Sequence, residues 1–488
     1  MTTIKNLYTT NINSKITSKP TSGLDGKIYT KSDGLLYYLT PSNVEFVLSV
    51  SQVSQTLDYL YALNNNVNAT PLNIPWNSTL AVENNVSVSV ADNSIINIGT
   101  TGLYMVTYGK TVTDSDSSDG NFIESHIILN NNNSNSYLRH GSDENAVLHN
   151  AGVVRYITEC VGIITASTNS VINTVVNATS MFNGSVTANE QPRLNIHKID
   201  NSNYLNAKSI NNANVSTGVL LNVNWNTPIV SNGALSSLNN VVTTTQPGLY
   251  FVLYNIEWEG SGIATTPTLE SYILVDDTDT FRYASDSSTI MANGGTLRYS
   301  KSVSSIIPLS ANQNIRLKAL QTTGVSLSFS GATVDEYKHT NLYVLKLAEI
   351  AVAIATINPV TLTPGTTALS LVSSVATDTT IVGDTITFNT AGTYLISYNI
   401  EIDGIGAGSP PSFESYLSGD VGVTKYGYLS EVLLVSGGVL RYSLAKSTKV
   451  AITAGGTLKW YFTNTTGGNV TGSANNNKQM RISCVKVY

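Results

Sequence analysis

Charge is the scarcest commodity in this chain: Asp, Glu, Lys and Arg together make up 12% of its 488 residues, and the net charge is −6. There is no basic stripe and no Lys/Arg cluster, so nothing is provided to neutralise a phosphate backbone and no nucleic-acid partner is expected. No stretch reaches the roughly 18–20 consecutive apolar residues of a helical membrane span, so no membrane partner is expected either. Only two cysteines occur, Cys160 and Cys484, in different parts of the chain. They read as separate inert thiols, with an interdomain or intermolecular disulfide as the other reading. The opening "MTTIKNLYTTNINS" has no apolar core of the kind an export signal carries, and the expectation is assembly in a cytoplasm without disulfides. HExxH, nucleophile-elbow, phosphate-loop and paired-cysteine metal motifs are all missing. The expected protein is therefore not an enzyme and carries no cofactor or metal.

What is abundant is Asn, Ser, Thr and Gly at polar positions, with Val, Ile and Tyr at apolar ones, a mixture that favours strands and turns over helices. The length alone suggests about three domains, and the chain repeats itself three times. The phrases "GLYMVTY" (102–108), "GLYFVLY" (248–254) and "GTYLISY" (392–398) begin 146 and 144 residues apart. A Glu-Ser pair follows each glycine by 22 residues, at Glu124, Glu270 and Glu414. An Arg-Tyr pair comes next, at Arg155, Arg298 and Arg441, and each copy closes on an alternating strand with one lysine (Lys198, Lys346, Lys486). The first two copies open on a tryptophan, Trp76 and Trp225, which the third lacks. The many short alternating runs separated by turn residues predict an all-β sandwich or barrel in each copy.

Each copy resembles the tumour-necrosis-factor-like jelly roll, the fold of the globular heads of complement's collagenous proteins. The resemblance rests on the "PWN"-type opening strand, the Gly-x-Tyr strand about 25 residues later and the terminal closing strand. It spans residues 70–488 and implies three tandem jelly rolls that trimerise about a threefold axis. Upstream, "GLDGKIYTKSDGLLYYL" (23–39) reads as hairpins broken at Asp25-Gly26 and Asp33-Gly34. It is similar to modules near the N-termini of bacteriophage fibre and tail-associated proteins. Between them, Phe46, Val50, Val53, Leu57, Leu60, Asn64 and Val67 follow a 4-3 spacing. That spacing predicts a short coiled coil with Asn64 as a polar register residue, and an amphipathic helix packed on the first jelly roll is the other reading.

The expected organisation is an N-terminal anchoring hairpin segment at 1–43, a coiled-coil stalk at 44–68 and jelly rolls at 69–203, 204–350 and 351–488. The strand "GLYFVLY" is apolar on both faces, so one face should pack inside a sandwich and the other against neighbours. Tyr104, Tyr108, Tyr250, Tyr254, Tyr394 and Tyr398 are assigned to a trimer interface, and Phe251 to the domain interior. Because unpaired buried charge is costly, the repeated Glu124/Arg155, Glu270/Arg298 and Glu414/Arg441 are expected to form one ion pair per repeat. The five histidines do not recur in register: His126 is met by Tyr272 and Tyr416. The acidic loop "TDSDSSDG" (113–120) departs from the EF-hand spacing and reads as a solvated loop. Trp460, beside the Gly/Ser/Asn-rich loops of the third copy, is a candidate ligand contact, with a core position as its other reading.

These features together predict a homotrimeric fibre or spike on the exterior of a virus, most specifically a bacteriophage. Its N-terminus would bind a capsid or tail protein, and its distal loops would contact a host-surface glycan or protein. A bacterial surface or spore-coat adhesin and a glycan-hydrolysing fibre are the rival expectations.

Overall fold

A computed structural model of the chain describes residues 27–30, 36–39, 45–49, 59–63, 68–69, 72–73, 75–76, 78–83, 85–114, 121–130, 138–147, 154–178, 182–184, 193–199, 203–209, 214–225, 229–230, 234–238, 241–262, 268–289, 296–329, 340–347, 351–405, 412–419, 425–432, 439–464, 468–473, 477 and 479–487. Every regular element among them is a β-strand. The chain divides into two compact units, Met1–Leu57 and Asp58–Tyr488.

The first unit holds one antiparallel sheet of Lys27–Thr30, Leu36–Leu39 and Glu45–Ser49, in that order. Lys27 lies opposite Leu39 and Thr30 opposite Leu36, so the hairpin turns where Asp33-Gly34 predicts it. Where the segment 44–68 is described, at 45–49 and 59–63, it is strand and not helix. Phe46 sits in the third strand, opposite Tyr38, and Leu60 sits in a strand of the second unit, Tyr59–Leu63. Val50, Val53, Leu57 and Asn64 lie outside the described residues. The physical reason is that short apolar runs satisfy more than one period, and Tyr59–Leu63 finds open backbone hydrogen-bonding groups on both sides, between Arg193–Ile199 and Ser78–Glu83.

In the second unit, repeat 1 supplies β1 (Gly102–Asp114), β2 (Asn121–Asn130), β3 (Leu138–Val147), β4 (Val154–Ala166), β5 (Ser170–Ala178) and β6 (Arg193–Ile199). Repeat 2 supplies β7 (Gly248–Ser261), β8 (Thr268–Val275), β9 (Thr278–Thr289), β10 (Thr296–Leu309), β11 (Asn314–Gln321) and β12 (Thr340–Lys346). Repeat 3 supplies β13 (Gly392–Ile405), β14 (Ser412–Ser418), β15 (Tyr426–Val432), β16 (Val439–Ile452), β17 (Thr457–Asn464) and β18 (Arg481–Lys486). In every repeat the glycine-led strand lies between the Arg-Tyr strand and the terminal strand, forming an inner half-sheet. The Glu-Ser strand lies between its two neighbours in an outer half-sheet. The turn after each Arg-Tyr strand needs a left-handed residue and has Asn169 (φ 68°), Asn312 (φ 67°) or Gly455 (φ 77°), the types that adopt it most easily.

The half-sheets do not stay within their repeats. The outer half of repeat 1 continues into the inner half of repeat 2, with β3 against β10 and Glu144 opposite Ser300. The outer half of repeat 2 continues into the inner half of repeat 3, with β9 against β16 and Ser287 opposite Ser443. The outer half of repeat 3 returns to the inner half of repeat 1, with β15 against β4 and Ser430 opposite Ile157. Three 13-stranded sheets result, and all three joints run in the same sense. The repeats therefore form a closed ring with approximate threefold symmetry, made by one chain.

This arrangement settles which face of the glycine-led strand points where, and the sequence-based assignment is reversed. Tyr104 and Tyr108 lie in the interior of repeat 1 with Trp76, Ile96 and Ile172. Tyr250, Tyr254, Tyr394 and Tyr398 likewise lie in the sandwich interiors of repeats 2 and 3. The opposite face turns to the centre of the ring. Leu103 and Met105 of repeat 1, Leu249, Phe251 and Leu253 of repeat 2, and Leu395 of repeat 3 share one axial core. Hydroxyls explain the choice. The Tyr104, Tyr250 and Tyr394 hydroxyls each donate to the carbonyl four residues upstream, those of Thr100 (2.9 Å), Gln246 (2.6 Å) and Thr390 (2.9 Å). A buried phenol needs such a partner, and the loop before the strand offers it only on the sandwich side. The repeated lysine serves the same loop, Lys198 donating to Thr100 Oγ1 (2.9 Å) and Lys346 to Gln246 Oε1 (2.7 Å).

Candidate functional site

The repeated glutamate and arginine were the strongest candidates for shared chemistry, and the structure separates them. Glu270 is on β8 in an outer half-sheet, whereas Arg298 is on β10 in an inner one, in register with Glu259. Glu414 on β14 and Arg441 on β16 are divided in the same way, and Arg441 lies opposite Asp403. Arg155 lies opposite Thr113. Glu270 and Arg298, and likewise Glu414 and Arg441, thus enter different sheets of the sandwich, and the arginine side chains lie outside the described residues. The glutamates find their cations on the adjacent strand: Glu270 Oε1 is 2.6 Å from Arg282 Nη1, and Glu414 Oε2 is 3.5 Å from Lys425 Nζ. In repeat 1 the Glu124 carboxylate is 3.7 Å from His126 Nδ1.

The pairs of Glu270 and Glu414 are each built into a cation–aromatic cluster. The Arg282 guanidinium lies 4.2 Å from the Tyr272 ring centroid. Lys425 Nζ lies 4.7 Å from that of Tyr416 and 4.3 Å from that of Tyr428, and Tyr416 stacks on Tyr461 at 5.2 Å. Burial first, and the Glu414 carboxylate second, raise the Tyr416 hydroxyl above its ordinary value. A signal shared by repeats 2 and 3 marks these partners, since a cation-Tyr dipeptide (Arg282-Tyr283, Lys425-Tyr426) follows Glu270 by 12 residues and Glu414 by 11. The clusters lace neighbouring strands together. Arg282→Ala should cost about 1–3 kcal/mol, because it removes a 2.6 Å charge-assisted bond to a partly buried carboxylate. Urea denaturation measures it, and an unchanged midpoint would contradict a structural role for the pair.

Trp460, the candidate ligand contact, is turned away from solvent at 0% exposure. Its indole Nε1 donates to Ser415 Oγ at 2.8 Å, and its ring lies 5.3 Å from that of Tyr398. Its neighbour Tyr461 takes the outward side of the same strand. The distal loop segments 406–411, 465–467 and 474–476, and 115–120 of the acidic loop, lie outside the described residues. Both cysteines are buried thiols and are not joined in a disulfide. Cys160 Sγ donates to the Ser125 carbonyl at 3.1 Å, and burial raises the Cys484 thiol far above its usual range.

The joint between repeats 2 and 3 is a polar seam above the axial core. Ser304 Oγ donates to Ser447 Oγ at 2.9 Å, and Ser397 Oγ to the Ser304 carbonyl at 3.2 Å. Lys446 Nζ donates to the Ser302 carbonyl at 3.3 Å, and Ser285 Oγ to Asn399 Oδ1 at 3.1 Å. Sequence reasoning missed this seam because its members are ordinary serines, distinguished only by a neighbour more than 90 residues away. Among the described residues, no group of three or more His, Cys, Asp or Glu side chains converges on a metal-sized site. A shallow groove of about 250 Å³ in repeat 1 is lined by Asn85, Ser87, Asn97, Ile98, Gly99 and Asn169. No protein-family profile matches the chain, and no curated protein is detectably similar to it in sequence.

Proposed function

We propose that this chain is an exterior fibre or spike of a virus particle, a bacteriophage, and that it acts by binding. In this reading the three repeats are tumour-necrosis-factor-like jelly rolls that present their loops to a host-surface glycan or protein. The N-terminal hairpin unit holds a capsid or tail protein. The observation that carries the reading is the closed ring: three inner half-sheets packed about one axial core. The resembled family makes such a ring from three chains, and here one chain supplies all three heads. The engagement of Glu270 and Glu414 by Arg282 and Lys425 supports a structural role for these carboxylates and, with it, binding over hydrolysis.

The ring also recasts the expected homotrimer. Its apolar inner faces are covered within the chain, so we propose that the head region needs no sister chain. Light scattering on the purified full chain should return one chain, 52.1 kDa, and a mass of three chains would restore the homotrimer. Particle location has its own test. Antibody raised against the chain should decorate intact particles, and labelled chain should compete with particles for adsorption to host cells. Failure of both would remove the viral attachment reading.

A further inference from the structure

The outer half-sheet of repeat 3 carries side chains that its sister repeats do without. Trp460 and Phe462 of β17 and Phe413 and Leu417 of β14 line the sandwich interior. Alternation therefore turns Glu414, Tyr416, Tyr461 and Thr463 to the opposite face. Register sets them in two rows. Glu414 lies beside Thr463, which lies beside Thr366 of the adjoining strand Gly365–Ala368, and Tyr416 lies beside Tyr461. The Thr366 and Thr463 hydroxyls are 2.9 Å apart, and the two tyrosine rings stack. The places of Tyr461 and Thr463 are held by Lys318 and Leu320 in repeat 2 and by Val175 and Asn177 in repeat 1. Those repeats fold without them, so the sandwich requires neither the aromatic row nor the hydroxyl row. Access differs as well. Tyr272 and His126, the counterparts of Tyr416, are 1% and 4% exposed, whereas Tyr416 is half-buried and Thr366 is open to solvent.

We propose that this face of repeat 3 is a binding platform for an uncharged glycan. A pyranose ring presents a patch of C–H groups and a rim of hydroxyls. The C–H patch packs against the row of Tyr416 and Tyr461, and the hydroxyls meet Glu414, Thr463 and Thr366 in the row beside it. Charge selects the class of ligand. Among the described residues, the charges along this face come in pairs, Glu414 with Lys425 at 3.5 Å and Asp384 with Lys459 at 3.0 Å. Acidic sugars and polybasic segments therefore find no surplus charge there. Lys425 also lies against the rings of Tyr416 and Tyr428, which fixes the aromatic row on the sheet. The platform rests on the attachment reading for its biological role, and it places the contact on a sheet face beside the loops. Each chain holds one such face, so a contact that is weak singly gains strength from the number of chains on a particle.

Fluorescently labelled full chain, applied to an array of glucose, galactose and N-acetylglucosamine oligomers with sialylated and uronic-acid glycans beside them, tests this. At least one uncharged oligomer should bind, and its binding should not fall with added salt. Tyr461→Val and Tyr416→His, which copy repeat 1, should each weaken that binding by about three- to tenfold, the worth of one aromatic contact. Both should keep the circular dichroism of the parent. Tyr272→His, the same change in repeat 2, should leave the binding intact. No binding to any uncharged oligomer overturns the proposal, as does binding confined to acidic glycans or undiminished in both variants. If neither variant folds, Thr463→Leu, which copies repeat 2, supplies the test, and undiminished binding there overturns it as well. Adsorption to host cells judges the attachment reading separately. A chain that competes with particles but ignores uncharged oligomers keeps that reading and loses the platform, while one that binds them without competing keeps the platform alone.

Discussion

Phe251→Asp should open the ring while leaving each repeat folded. Phe251 is 0% exposed, yet it belongs to the axial core and not to the interior of its own sandwich. Removing the aromatic ring gives up about 1.5–3 kcal/mol of apolar burial, and desolvating a carboxylate among Met105, Leu395 and Leu345 adds a penalty of several kcal/mol. Neither term can be escaped by a local shift, because the axial layer receives side chains from all three repeats at once. Separation of the repeats hydrates the carboxylate and is the cheapest response. Small-angle scattering should show a larger radius of gyration, and circular dichroism should keep its β signature. Tyr254→Ala is the contrasting change. That ring lies inside repeat 2, and its hydroxyl donates to the Ala284 carbonyl at 2.7 Å, so its loss should melt the repeat. If Phe251→Asp destroys the β signature and Tyr254→Ala merely expands the molecule, the two faces have been assigned backwards.

Trp460→Ala should unfold the third repeat, at a cost of about 3–5 kcal/mol. The indole is enclosed by Tyr398, Ile482 and the interior of repeat 3, and its one polar atom is already bonded to Ser415. Truncation would leave a cavity in a wall shared by β13, β14 and β17, and their strand pairing prevents the walls from collapsing into it. Trp460→Phe, which keeps most of the volume, should cost much less. Thermal unfolding followed by tyrosine and tryptophan fluorescence distinguishes the two. A variant Trp460→Ala that melts like the parent, but fails to bind host surfaces, would return the residue to its role as a ligand contact.

Much of the architecture was written in short-range patterns. Alternation marked the strands, Asp33-Gly34 marked a hairpin, and three spaced copies of Gly-x-Tyr announced three equivalent units. Even the double apolar face of "GLYFVLY" was a correct sign that both sides of that strand are covered. Which side faces which cover was not legible, because a period of two sorts side chains into two sets without saying which set is inside. The hydroxyl of Tyr250 and the carbonyl of Gln246 hold that information, but only once the preceding loop is folded back. The 4-3 spacing through Phe46 and Leu60 misled for a related reason: a helical seam and a strand edge can share the same few apolar residues, and pairing partners elsewhere decide between them.

The candidate site was legible to a similar depth. Scarcity of charge correctly singled out Glu270 and Glu414 as residues that need a cation, and Arg282 and Lys425 stood in the sequence at nearly constant offsets. That Arg298 and Arg441 enter a different sheet from Glu270 and Glu414 was not legible, because sequence order does not reveal which sheet a strand enters. For Trp460, a large aromatic beside a glycine-rich loop has the same appearance whether it points in or out.

By itself, then, the sequence determined the strand period, the threefold repetition and the demand that both faces of the inner strands be buried. Only the tertiary structure decided that the covering neighbours are the other repeats of the same chain, closed into a ring. The reason is that sheets join through backbone hydrogen bonds, which carry no residue identity. A pairing such as Ser430 with Ile157 leaves no mark on the local pattern of either strand, and it is chosen by the axial core that forms when all three repeats meet.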